Sequence, residues 1–151
     1  MNKSTFQNKV LEAETTLYRI SKTMLFDESD CEDAVSEAIL NAYSNLNHLR
    51  NEKYFKTWLV RILINECNKI LRAKRRFAPL SEETLVYNNP EYSDLYNEIY
   101  KLKPDLRITI MLYYIEGYSV EEIKNILKIP AGTVKSRLSR GRKLLKSRLE
   151  V

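Results

Sequence analysis

Apolar residues recur along most of this chain at spacings of three and four, the period of an amphipathic helix, and nowhere in sustained alternation. Val10 to Leu25 reads as one helix and Cys31 to Leu46 as a second, separated by a polar break from Phe26 to Asp30. The apolar side of the second helix is formed by Ala34, Val35, Ala38, Ile39, Ala42, Tyr43 and Leu46. A third helix runs from Tyr54 to about Arg72 and carries two stripes. Phe55, Trp58, Leu59, Ile62, Leu63, Cys67, Ile70 and Leu71 form the side expected to be buried, which assigns Trp58 to the core. Arg61, Asn65, Asn68 and Arg72, spaced four, three and four, form a polar side on the same helix.

After Arg76 the period is lost. Pro79, Asn88, Asn89 and Pro90 punctuate an acidic stretch, which predicts a flexible linker over residues 77–94. Helical pattern resumes near Leu95, breaks at Lys103 and Pro104, and continues through Ile108, Met111, Leu112 and Ile115 to Gly117, a residue suited to stopping a helix. Ser119, with Glu122 three residues on, then marks a capped helix whose apolar positions are Val120, Ile123, Ile126 and Leu127. A break at Pro130 leads to a last, strongly basic helix, completing a helix-turn-helix pattern. The fold expected is all-α, with two small helical domains over residues 1–76 and 95–151.

Composition supports this: 3 Gly and 4 Pro in 151 residues leave room for long uninterrupted helices. No apolar run approaches the roughly 18 residues of a membrane span, and the first residues lack the apolar core of a signal peptide, so a cytoplasmic protein without membrane insertion is expected. Cys31 and Cys67 stand far apart and His48 is the single histidine. That pattern supports neither a disulfide framework nor a zinc site, and no metal or cofactor is expected.

Net charge is +5, and its distribution is uneven. Residues 1–48 hold four basic and eight acidic groups, residues 49–76 nine and two, residues 77–98 none and five, and residues 131–151 seven and one. A basic block suits a polyphosphate surface through counterion release, whereas the acidic first block would repel nucleic acid and suits a basic protein partner. On a wheel of about 100° per residue, Val134, Leu138 and Leu145 share one side of the last helix, while Ser136, Ser139, Arg140 and Lys143 cluster opposite, flanked by Lys135 and Arg142. Hydrogen-bonding groups and positive charge on one exposed face are what a helix in a DNA major groove requires.

At the level of motifs, IPAGTVKSRLSRG at 129–141 resembles the P-x-G-T-V-K-S-R-L-x-R-[AG] signature in region 4 of extracytoplasmic-function (group IV) sigma factors of bacterial RNA polymerase. Upstream, DCEDAVSEAILNAYSNL at 30–46 is similar to region 2.2 of that family, and FKTWLVRILINECNKILRAKRR at 55–76 is similar to regions 2.3 and 2.4. The resemblance covers roughly 120 of the 151 residues. It implies a factor that binds core RNA polymerase and directs promoter-specific initiation, with no enzymatic chemistry of its own.

The resemblance also implies a division of labour. In such factors the region 2.2 helix docks on a coiled coil of the polymerase β′ subunit, which makes Asp30, Glu32, Asp33, Glu37 and Tyr43 the expected polymerase contacts, Asp33 and Glu37 first among them. Acidic residues at a helix start also favour the helix dipole, so some of this charge has a purely structural account. The segment after Leu49 would meet the −10 element, where a strand is opened and a base held outside the stack. Arg50, Asn51, Lys53, Tyr54, Arg61, Asn65, Asn68 and Lys69 supply the cations, amides and aromatic plane that such binding uses. The last helix would read the −35 element, with Lys135, Ser136, Ser139 and Arg140 nearest the bases and Thr133, Arg137 and Arg142 on or near phosphates. The implied partners are core RNA polymerase through its β′ and β subunits, promoter DNA, and an anti-sigma factor, for which a membrane-bound protein is one candidate. The acidic linker would follow the path of nascent RNA.

A free-standing helix-turn-helix regulator is the alternative, since region 4 resembles the output domain of many response regulators. The first half lacks the alternating strands and helices of a receiver domain. An enzyme acting on nucleic acid would need a cluster of nucleophile and base that no motif here supplies.

Overall fold

The structure, a computed structural model, describes residues 1–77 and 93–149. The chain packs as two compact units divided between residues 79 and 80. All described regular structure is helical. The expected linker lies, over residues 78–92, outside the described residues.

The first unit is a three-helix bundle of α1 (Lys3–Leu25), α2 (Glu28–Ser44) and α3 (Phe55–Phe77), each packed against the other two. α1 begins well before Val10 because Asn2 caps it, its side chain accepting from the Thr5 N–H at 2.8 Å, and because Phe6 turns inward. The Phe6 ring meets Tyr43 at 5.2 Å and Phe55 edge-on at 5.7 Å. Phe26, at φ 62°, ends α1, and Asp27 already caps α2 by accepting from the Asp30 N–H. The polar break is therefore shorter than the sequence suggests.

Leu17, Ile20, Leu59, Val60 and Leu63 are sealed from solvent at the bundle centre, each contributing about 1.5–3 kcal/mol by burial. Ala34, Ala38 and Ala42 let α2 approach closely. The core face of α3 is Phe55, Leu59, Val60, Leu63, Ile64 and Cys67, rotated from the expected stripe. Trp58, Ile62, Ile70 and Leu71 are only partly covered. The run WLVRILI is apolar nearly all round, so its spacing alone leaves the centre of the buried face undetermined. Lys74, far along α3, forms an ion pair with Asp30 at the start of α2, and this hydrogen bond raises the lysine's pKa.

The second unit contains α4 (Asp94–Tyr100), α5 (Pro104–Ile110), α6 (Val120–Leu127) and α7 (Ala131–Leu149). Pro104 occupies the first turn of α5, where its missing N–H costs nothing. The end of α5 widens into one π turn, Met111–Ile115, closed by a bond from the Glu116 N–H to the Met111 carbonyl at 2.9 Å. Gly117 then adopts φ 78°, the left-handed conformation anticipated for a helix stop. The capping box is present in full: Ser119 Oγ accepts from the Glu122 N–H at 3.1 Å, and Glu122 Oε1 accepts from the Ser119 N–H at 3.0 Å. Arg107 is buried beneath the α4–α5 turn, donating to the carbonyls of Leu102 at 3.1 Å and Tyr100 at 3.4 Å. Desolvation lowers its pKa to about 10, which still leaves it charged at neutral pH.

α7 packs against α4, α5 and α6 through Val134, Leu138, Gly141 and Leu145. Gly141 marks the closest approach: a methyl group there would lie 2.7 Å from both Cδ1 and Cγ1 of Ile110. Arg148 at 4.0 Å and Lys101 at 3.1 Å both pair with Glu98, tying the end of α7 to α4.

Candidate nucleic-acid interface

Burial of Val134, Leu138, Gly141 and Leu145 fixes how α7 is rotated, and the opposite face follows from that. Lys135, Ser136, Arg140, Arg142 and Lys143 are exposed, while Thr133 and Ser139 are partly covered. Six of the seven residues expected on the reading helix therefore lie on its open side or at its edges. Arg137 does not: it turns inward and meets Asp105 of α5 at 3.8 Å, with most of its side chain covered. Arg142 stands at the edge of the open face, and its Nη1 donates to the hydroxyl of Tyr114 at 3.0 Å. Nothing in the local pattern of either segment announces this bond between residues 28 positions apart.

In the first unit, the polar stripe of α3 faces a groove against the end of α2. One part, of about 330 Å³, is lined by Asn41, Asn45, His48, Trp58, Arg61, Ile62 and Asn65. An adjoining part, of about 280 Å³, is lined by Asn41, Ile62, Asn65, Glu66, Asn68, Lys69 and Arg72. Arg61, Asn65, Asn68 and Lys69 are thus brought together as expected. The sequence reading missed Asn41, on α2, and Asn45, which caps its end, and it misplaced Trp58, whose partly covered ring packs on Phe55 and also walls the groove. Across the groove floor Glu66 accepts from Lys69 Nζ at 3.0 Å and from Asn41 Nδ2 at 3.3 Å. Asn45 Nδ2 in turn donates to Asn41 Oδ1 at 2.7 Å. The chain of bonds offsets the charge of the buried Glu66 carboxylate and fixes the amides on the groove floor.

Arg50, Asn51, Lys53 and Tyr54 are exposed in the connection between α2 and α3. Asn51 Oδ1 accepts from the Lys53 N–H at 3.0 Å and shapes a single 3₁₀ turn, Glu52–Tyr54. The Lys53 ammonium sits 5.8 Å from the centre of the Tyr54 ring, which is 56 % exposed.

On the outer side of α2, Glu32, Asp33, Ser36 and Glu37 are exposed. Because the helix starts at Glu28 behind the Asp27 cap, its first-turn acids are Glu28 and Asp30. Dipole stabilisation, which fades within the first turn, accounts for those two and not for Glu32, Asp33 or Glu37. Asp30 is held by Lys74, so its carboxylate already has a partner within the fold. Continuing the stripe, Leu40 is 62 % exposed and Tyr43 47 %, an apolar extension of the acidic face in which the sequence reading had only Tyr43.

Residues 10–77 match the family described as Sigma-70 region 2, and residues 93–145 match Sigma-70, region 4. The ECF RNA polymerase sigma-E factor of Haemophilus influenzae is 32 % identical over 149 residues, covering 85 % of this chain and 79 % of that protein. The ECF RNA polymerase sigma-E factor of Escherichia coli K12 is 33 % identical over 142 residues, covering 80 % and 74 %. Among solved structures, the sigma factor RpoE of Bartonella quintana in complex with the anti-sigma factor NepR aligns with a TM-score of 0.81 at 25 % identity over 97 % of both chains. The structure of CnrH in complex with the cytosolic domain of CnrY shares the fold, with a TM-score of 0.73 at 23 % identity over 98 % of this chain and 89 % of that one.

Proposed function

This chain belongs to the extracytoplasmic-function group of the sigma-70 family, and from that premise we propose how its surfaces divide the work of a sigma factor. It is an RNA polymerase sigma factor that directs promoter-specific transcription. The first unit, residues 1–76, docks on core polymerase and handles the −10 element, and the second, residues 95–151, reads the −35 element. The observation that carries this reading is the open face of α7, where Lys135, Ser136, Arg140 and Lys143 stand exposed opposite a sealed apolar stripe.

Arg140 projects from that face, where a planar guanidinium reaches base edges and bonds in two places at once. Ser136 and Ser139 offer shorter hydrogen-bonding arms and Lys135 a longer one toward the bases, and Arg142 meets phosphate at the edge. Arg137, engaged with Asp105, serves the fold of the second unit before it serves DNA. In the first unit, the amide-rich groove of Asn41, Asn45, Asn65 and Asn68 offers donors and acceptors to an unstacked base, with Trp58 as a flat wall and Arg61 and Lys69 for the backbone. Glu32, Asp33, Glu37, Leu40 and Tyr43 form the polymerase-docking stripe. The protein works in the cytoplasm, performs no chemistry itself, and is held inactive by an anti-sigma factor when its promoters are silent.

Arg140→Ala should cost about 1–3 kcal/mol at the preferred promoter and relax preference at one or two −35 positions. Arg142→Ala should weaken all sequences alike and reduce the salt slope of binding by roughly one unit. A panel of single-base −35 variants transcribed by holoenzyme at two salt concentrations separates the two. Unchanged sequence preference in Arg140→Ala would remove base reading from this residue.

A further inference from the structure

We propose that Tyr114 and Arg142 together form a clamp for one DNA phosphate, with the tyrosine hydroxyl as its second arm. The inference rests on α7 being the −35 reading helix and adds a residue outside that helix to its contact surface. Arg142 Nη1 donates to Tyr114 Oη at 3.0 Å, so the tyrosine oxygen acts as acceptor in this bond and its own O–H remains to donate elsewhere. The guanidinium gives up one of its five donors and keeps the rest. Joined by that one bond, the single O–H of the tyrosine and the remaining N–H groups of the guanidinium lie side by side, available to one anion. Among biological anions a phosphodiester oxygen fits, because the site lies at the edge of the face that meets DNA and offers nothing that discriminates one base from another.

Three features argue that the arrangement is built rather than incidental. Tyr114 sits in the π turn that widens the end of α5, and such turns re-aim side chains at functional sites more often than elsewhere. The Tyr114 ring is 48 % exposed yet braced edge-on by Tyr113 at 4.8 Å, which limits the rotations open to its hydroxyl. On α7, Arg142 lies seven residues beyond Lys135, about 10.5 Å along the same edge of the helix, so the clamp continues a line of cationic groups.

Tyr114→Phe removes the hydroxyl and keeps the ring. Binding of fluorescent promoter DNA by holoenzyme should weaken by about three- to tenfold, equally for every −35 variant, the scale of one lost hydrogen bond. In an Arg142→Ala background the same change should cost less than about twofold, because the phosphate is no longer held against the hydroxyl. Retained melting temperature in Tyr114→Phe would separate loss of contact from loss of fold. An equal loss in both backgrounds, no loss in either, or a loss that depends on the −35 sequence would overturn the clamp. Arg140→Ala, measured alongside, keeps the two questions apart: if it leaves sequence preference intact, the reading of α7 itself has failed, whatever Tyr114→Phe does.

Discussion

At the residue scale, Gly141 shows how one position couples a motif to its surroundings. The family signature admits Ala or Gly here, and on an isolated helix Ala would be favoured by about 1 kcal/mol. In this chain the added methyl would press on Ile110, which is 1 % exposed and cannot swing away. Overpacking of this kind costs about 1–3 kcal/mol, so Gly141→Ala should be neutral to destabilising by up to about 2 kcal/mol. Ile110→Val, which shortens the opposing side chain at Cδ1, should cost less in the Gly141→Ala background than in the wild type. A double-mutant cycle by urea denaturation checks this, and strict additivity would mean that the two residues do not meet as described.

Single residues also mark where the sequence was legible. Ser119 with Glu122, Pro104 and Gly117 carry their meaning in their immediate neighbours, and each does in the structure what its local chemistry dictates. Arg137 with Asp105, Arg142 with Tyr114 and Glu66 with Asn41 join positions far apart in the chain. No periodic pattern encodes such pairs, and so the sequence reading placed Arg137 on or near phosphates rather than against Asp105, and missed Tyr114 and Asn41 altogether.

At the scale of the element, α2 shows how a cap alters interpretation. Asp27 starts the helix earlier than the apolar pattern suggested, which moves Glu32 and Asp33 out of the first turn, so that, like Glu37, they stand exposed beyond the reach of the dipole. Charge reversal at Asp33 and Glu37 should therefore leave helix content unchanged by circular dichroism while weakening capture of core polymerase. Leu40→Ser, one turn further on, should weaken capture without altering its salt dependence. Undiminished pull-down by the charge-reversed protein would take the docking role away from this face. α3 teaches the converse: its helical period was plain, but its apolar run was too broad to show which residues face inward, so Trp58 was placed in the core when it also walls the groove.

At the scale of the whole molecule, each unit holds a buried group that should make it respond to alkali. Cys67 is fully buried, and loss of solvation pushes its thiol up to about 12. Below about pH 9 the thiol is protonated in folded and unfolded chains alike and the full stability is present. Between about 9 and 12 only the unfolded chain ionises there, so the first unit should lose about 1.4 kcal/mol per pH unit from this group alone. In the second unit burial pushes Tyr118 up to about 12 as well, from an ordinary value nearer 10, so its decline should begin later. Trp58 is the single tryptophan and lies in the first unit, so its fluorescence reports that unit alone. Urea midpoints followed at Trp58 should fall with pH more steeply in wild type than in Cys67→Ala, and parallel curves would exclude the thiol as the cause.

On the proposed division of labour, the acidic face of α2 would meet polymerase while the open face of α7 meets the promoter, so that both are engaged together. One helix-turn-helix offers less contact than specific DNA sites usually require. The direct measurement is run-off transcription from promoter fragments by core polymerase, with and without this chain, beside binding of the same fragments by the chain alone. The account predicts a discrete start site only when chain and core are both present, with weak binding by the chain alone near physiological salt. Tight promoter binding by the chain alone, with no initiation when core polymerase is added, would contradict it.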